Sequence, residues 1–152
     1  MDIHQLLGQT RLVDVRLIER HATLTLDPSP DRGLAALPDE TPRSNVHLEV
    51  NPVSWGKRIE TWFRIHAENE LATIRCAVAV CYERNSDDDI SDEVRREFVE
   101  KVSVMAAYPY LRAEVQQQSA DLRIGVLTLD LLKQGDFKLL SNDDLGPEEP
   151  QP

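Results

Sequence analysis

Seven residues, Asp87 to Glu93 ("DDDISDE"), come nearest to a metal-binding pattern in this chain, because Asp87, Asp89, Ser91 and Glu93 fall where the first ligands of a calcium loop would stand. Asp92, however, occupies the position that needs glycine for the sharp turn, and Phe98 the position that needs a bidentate glutamate. The stretch therefore reads as a solvated helix start. His4, His21, His47 and His66 are scattered without the paired spacing of zinc ligands. There is no glycine-rich phosphate loop, no G-x-S-x-G, no H-E-x-x-H and no C-x-x-C. The reading expects no metal, no cofactor and no enzyme. Trp55 and Trp62 read as core or interface anchors rather than as platforms for a cofactor.

The 152 residues fit one domain, and 41% hydrophobic with 29% charged residues is the composition of a folded globular chain. A formal net charge of −10 with no basic stripe argues against nucleic acid and favours basic or polypeptide partners. The longest apolar run, "CAVAVCY" from Cys76 to Tyr82, is far short of the ~20 residues that span a bilayer. The start, "MDIHQLLGQTRLVDV", lacks the basic and apolar parts of a signal peptide, so a cytoplasmic protein without membrane insertion is expected. Cys76 and Cys81 are five apart in a strand-like stretch. That places their Cα atoms roughly 17 Å apart, too far for a disulfide.

Strand patterns fill the first half and helical patterns the second, which predicts an α+β fold. Val13, Val15 and Leu17 alternate on one parity and Ala22, Leu24 and Leu26 on the other, so a bulge is predicted near Leu17 and Ile18. Asp27 to Ser44 holds four prolines and a glycine in eighteen residues and reads as a long loop. Val46, Leu48 and Val50 mark a second strand. Ile59 to Ala67 and Ala72 to Tyr82 mark a third and fourth, joined as an antiparallel hairpin through Glu68 to Glu70. The opposite faces of these two strands mix Trp62, Ala77, Ala79 and Cys81 with charges, which invites a second cover such as another subunit.

Ser86 with Asp89 predicts a helix start. Val94, Phe98, Val102, Met105 and Ala106 form its stripe, Pro109 interrupts it, and Leu111, Val115, Gln118 and Leu122 resume it before Gly125. "VLTLDLL", from Val126, reads as a short apolar segment and residues 141–152 as a disordered acidic tail after a single domain at 1–140.

"AAYPYLRAEV", Ala106 to Val115, contains Tyr108-Pro109-Tyr110-x-Arg112, which resembles the aromatic-Pro-Tyr-x-Arg motif in the main helix of the SecB family of bacterial export chaperones. "RIGVLTLDLL" from Arg123 resembles the crossing segment after that helix, and "RLIERHATL" from Arg16 the family's first strand. The resemblance covers about residues 10 to 135. It implies a four-stranded antiparallel sheet with one long proline-interrupted helix and a shorter C-terminal helix, assembled as a homotetramer, a dimer of dimers. It further implies an ATP-independent holdase for unfolded or slowly folding polypeptides, which in the export branch are delivered to SecA through an acidic sheet face. Here His21 and Thr25 stand in that first strand, and "VDVRLIER" looks closer to the branch serving antitoxins of toxin-antitoxin systems. An adaptor for one folded partner is the alternative from another class. Trp55, Trp62, Tyr108, Tyr110 and Leu127 are the candidate client-binding residues. Pro109 and Arg112 are expected to fix the helix, with Arg112 free either to pair with a carboxylate or to cap a carbonyl released by Pro109.

Overall fold

The computed structural model describes residues 1–25, 43–125, 127–129 and 136–139. A short helix α1, Ile3–Gln9, leads into strand β1, Thr10–Leu24. Then come β2, Asn45–Trp55; β3, Arg58–Glu68; and β4, Ala72–Arg84. The chain continues as a helical rod, in which α2, Asp92–Phe98, runs through a π-helical turn, Val99–Ser103, into α3, Val104–Asp121. The four strands form one antiparallel sheet in the order β1-β4-β3-β2.

The parity read from the sequence is the parity of the core. Ile59, Thr61, Phe63, Ile65 and Ala67 of β3 and Ile74, Cys76, Val78, Val80 and Tyr82 of β4 are all buried on the face that carries the helical rod. The β3–β4 turn is held by Asn69, whose Oδ1 accepts the amides of Leu71 and Ala72 at 2.8 and 3.0 Å. β1 pairs with β4 with a register shift between Leu17 and Glu19, the predicted bulge, and a second between Leu12 and Asp14.

On the other face the small side chains of β4 are covered by charges. Arg64 and Glu19 flank Ala77 in register. Arg64 Nε reaches Glu19 Oε1 at 3.2 Å, so Ala77 is only 1% exposed although it points away from the helix. Cys76 faces the helix and Cys81 the opposite side, and both are free thiols.

One element was not anticipated and two expectations are corrected. The N-terminal residues form a helix with an Asp2–Gln5 capping box, which buries Leu6. The rod starts at Ser91, whose hydroxyl accepts the Val94 amide, and not at Ser86, whose hydroxyl accepts the amide of Asp88 in the preceding loop. Pro109 does not interrupt the helix, since α3 runs continuously through it. The irregularity lies upstream, where the π turn inserts one extra residue and rotates α3 relative to α2. The buried stripe consequently runs Val94, Phe98, Val99, Val104, Ala107, Leu111, Val115 and Gln118, leaving Val102, Met105 and Ala106 at its margin.

The expected long loop lies almost wholly outside the described residues, as do the shorter C-terminal helix and the acidic tail. Among the described residues no helix is long and apolar enough to cross a membrane, and no group of three or more His, Cys, Asp or Glu could hold a metal ion.

Candidate polypeptide-binding surfaces

The five aromatic and apolar residues singled out by sequence lie in three different places. Trp55 ends β2 in the core, 4% exposed, with Phe98 edge-on at 6.5 Å and the Arg95 guanidinium 5.5 Å above its ring. It is a packing residue beneath the rod and presents no surface on this chain. Trp62, on the sheet face away from the helix, is 37% exposed and donates its Nε1–H to Glu60 at 2.7 Å. Tyr108 and Leu127 are half-buried at the rim of the core on the helix side. Tyr110, two residues after Tyr108, is 56% exposed on α3.

Helical spacing accounts for the split between the tyrosines, because Tyr108 adjoins buried Ala107 while Tyr110 lies on the outer side of the helix. One turn beyond Tyr110, Glu114 forms an ion pair with Arg20 of β1. That pair ties α3 to the outermost strand, which leaves Leu12, Leu17 and Ile18 exposed. A long strand at the edge of a sheet offers unpaired backbone groups beside these apolar side chains, and a further strand can add to such an edge. Sequence reasoning missed the three aliphatic residues. The apolar character of β1 was the available signal, since Leu12 and Leu17 lie opposite core-facing Tyr82 and Val78 and yet stay exposed at the sheet edge.

Among the described residues Arg112 neither pairs with a carboxylate nor caps a helix carbonyl released by Pro109. Its Nε–H donates to the carbonyl of Leu129 at 2.8 Å, which fastens the segment after the helix back onto α3. Ser119 Oγ accepts the Leu127 amide at 2.8 Å in the same way. Leu129 thereby enters the core and Leu127 packs at its rim.

At the other end of the core Arg84, also buried, donates to the carbonyls of Trp55 and Gly56, each at 3.4 Å, and of Asp88 at 2.6 Å. One guanidinium thus joins the β2–β3 turn to the entry of the helical rod. Burial, the largest influence, lowers its pKa, with nearby aspartates opposing.

Comparison with solved structures shows where else this fold occurs. The Mycobacterium tuberculosis Rv1957 SecB-like chaperone, solved in complex with a ChAD peptide from the Rv1956 HigA1 antitoxin, superposes with a TM-score of 0.65 at 19% identity, covering 86% of this chain and 92% of that one. No family model matches the sequence. A curated relative, the SecB-like chaperone SmegB of Mycolicibacterium smegmatis, is 32% identical over 143 residues, 94% of this chain and 89% of the relative. The chain belongs to the SecB-like chaperone family.

Proposed function

We propose that this chain is an ATP-independent holdase that binds unfolded polypeptides in extended form. The observation that carries the reading is the apolar edge itself. Leu12, Leu17 and Ile18 stand exposed on an outermost strand, and Tyr110 is exposed on the helix that Arg20 and Glu114 pin to that strand. Each apolar client side chain buried there contributes ~1.5–3 kcal/mol before ordering costs, so one contact is weak. Repeating the surface in a homo-oligomer, a dimer of dimers in this reading, raises the effective concentration and favours long unfolded chains over short peptides. A net charge of −10 keeps such a surface soluble and favours basic clients.

Between general export and a dedicated antitoxin, two observations favour the second. The M. tuberculosis neighbour is described with an antitoxin peptide bound. The outer face of β1 sets Arg16 and His21 among Asp14 and Glu19, so the acidic surface that the export branch offers to SecA is interrupted by an arginine and an imidazole.

Light scattering from a denatured protein diluted with stoichiometric amounts of this chain, without ATP, tests the reading. Suppressed aggregation is expected. Unchanged aggregation at several-fold excess, for an antitoxin as well as an unrelated protein, would leave an adaptor for a folded partner as the better account. Tyr110→Ser is expected to weaken client binding by about tenfold, the loss of roughly 1.5 kcal/mol of buried aromatic surface, with oligomer size unchanged by light scattering. A smaller oligomer would instead make Tyr110 a subunit contact.

A further inference from the structure

The first half of the helical rod holds a piece of the chain's own backbone by both of its polar groups. Arg96 Nη1 donates to the carbonyl of Leu139 at 2.9 Å, and Glu100 Oε1 accepts the amide of the same residue at 2.8 Å. Two side chains four positions apart on one helical face thus do for Leu139 what a neighbouring strand would do, taking its N–H and its C=O together. Glu100 stands in the π turn and is buried. Arg96 Nη1 lies 3.8 Å from its Oε1 and Lys138 Nζ 3.6 Å from its Oε2, so the buried carboxylate is held by a cation on each side and by one amide. Withdrawing the amide and Lys138 without a replacement would leave the carboxylate short of partners.

The apolar half of the contact has the same character. The Leu139 side chain is buried in the main core and Phe137 packs against that core, while Lys138 between them is exposed along its length and reaches back to Glu100 at its tip. The Arg112–Leu129 and Ser119–Leu127 bonds repeat the arrangement further along the rod. All four bonds read backbone atoms and none reads the identity of a side chain. The seats require only that alternate residues be apolar. This is the chemistry by which a sequence-tolerant site recognises an extended polypeptide.

The geometry points to Phe137–Leu139 as a built-in stand-in for a client: an extended apolar stretch of an unfolded polypeptide takes its place, with one residue's N–H on Glu100 and C=O on Arg96. The inference rests on the holdase reading above and adds to it a second, self-occupied seat. Because the seat is free only while the segment is undocked, the segment weakens apparent client affinity by the fraction of time it stays docked. It also keeps the apolar seat covered when no client is present.

Hydrogen exchange of the Leu139 amide in the full chain tests this, with reduced, carboxymethylated α-lactalbumin as a permanently unfolded probe and its retention followed by size-exclusion chromatography in the same samples. The amide is expected to be protected in the free chain and to exchange roughly tenfold faster or more once the probe is retained, while core amides such as Val80 keep their protection. Probe retained with Leu139 equally or better protected would overturn the inference and leave the holdase reading standing. Probe not retained at all would remove both. Phe137→Ser, at a half-buried position, is expected to tighten probe binding severalfold, and unchanged or weaker binding counts against displacement.

Discussion

Phe98→Ala should lower the unfolding free energy by about 3–5 kcal/mol, measured as a shift in the urea midpoint at unchanged slope. Phe98 is wholly buried where the first part of the rod meets the sheet. Its ring stands edge-on to Tyr82 of β4 at 5.0 Å and to Trp55 of β2 at 6.5 Å. One side chain therefore links the helix to two strands that are not neighbours in the sheet. Truncation removes the transfer energy of the ring and opens a space that its rigid aromatic partners cannot refill. Since domains are stable by only about 5–15 kcal/mol, the variant sits near the limit of folding at physiological temperature. Phe98→Leu keeps most of the volume and is expected to cost under about 1.5 kcal/mol. If the alanine variant cost no more than the leucine variant, the three-ring contact would not be what joins rod to sheet.

The strands of this core were legible because their parity is strict. From Ile59 to Ala67 and from Ile74 to Tyr82 every second residue is apolar or small, and a slip of one position would put Arg64 or Arg75 inside. The rod was legible only on either side of the π turn. Val94 and Phe98 keep 3.6-residue spacing, as do Leu111, Val115 and Gln118, but the extra residue between them has no signature in residue types. Extrapolating from Phe98 therefore gives Val102, where the structure buries Val104. Pro109 was the visible irregularity and misled, because a proline removes one donor without forbidding a helix whose packing holds it on both sides.

Much the same holds for the surfaces. The Tyr108-Pro109-Tyr110-x-Arg112 motif marked the right helix, yet the partner of Arg112, the Leu129 carbonyl, is a backbone atom that no residue type announces. Arg96 and Glu100 have in the sequence only the four-residue spacing common to ion pairs on helices. Only the chain's return onto the rod makes them a grip on Leu139. The seven-residue α1 was missed although Asp2 and Gln5 have capping-box spacing, because it has a single buried apolar residue, Leu6, and so no measurable period.

The fold should lose stability steeply above pH 9, and Cys76 should be a main cause. Burial against α3, reinforced by Glu114 and Glu19, pushes the Cys76 thiol from 9.0 up to about 12. Burial likewise pushes the Tyr82 hydroxyl from 10.0 up to about 12. Both folded values lie above the unfolded ones, so the stability gained by keeping these groups neutral is fully present below pH 9. Above that the unfolded chain begins to shed protons that the folded chain retains. From pH 9 for Cys76, and from pH 10 for Tyr82, each further unit costs roughly 1.4 kcal/mol per group until the folded values near 12 are reached. Urea midpoints of the parent chain and of Cys76→Ala, compared at pH 8 and pH 10.5, isolate the thiol. The other alkaline groups, including Cys81, whose pKa burial also raises, cancel in the difference. Between those two pH values the parent is expected to lose about 2 kcal/mol more than the alanine variant, one and a half pH units of Cys76 ionisation confined to the unfolded chain. Equal losses would mean that the thiolate is accommodated in the folded chain. The contact between β4 and the helix at Leu111, whose carbonyl lies 4.0 Å from the sulfur, would then admit water.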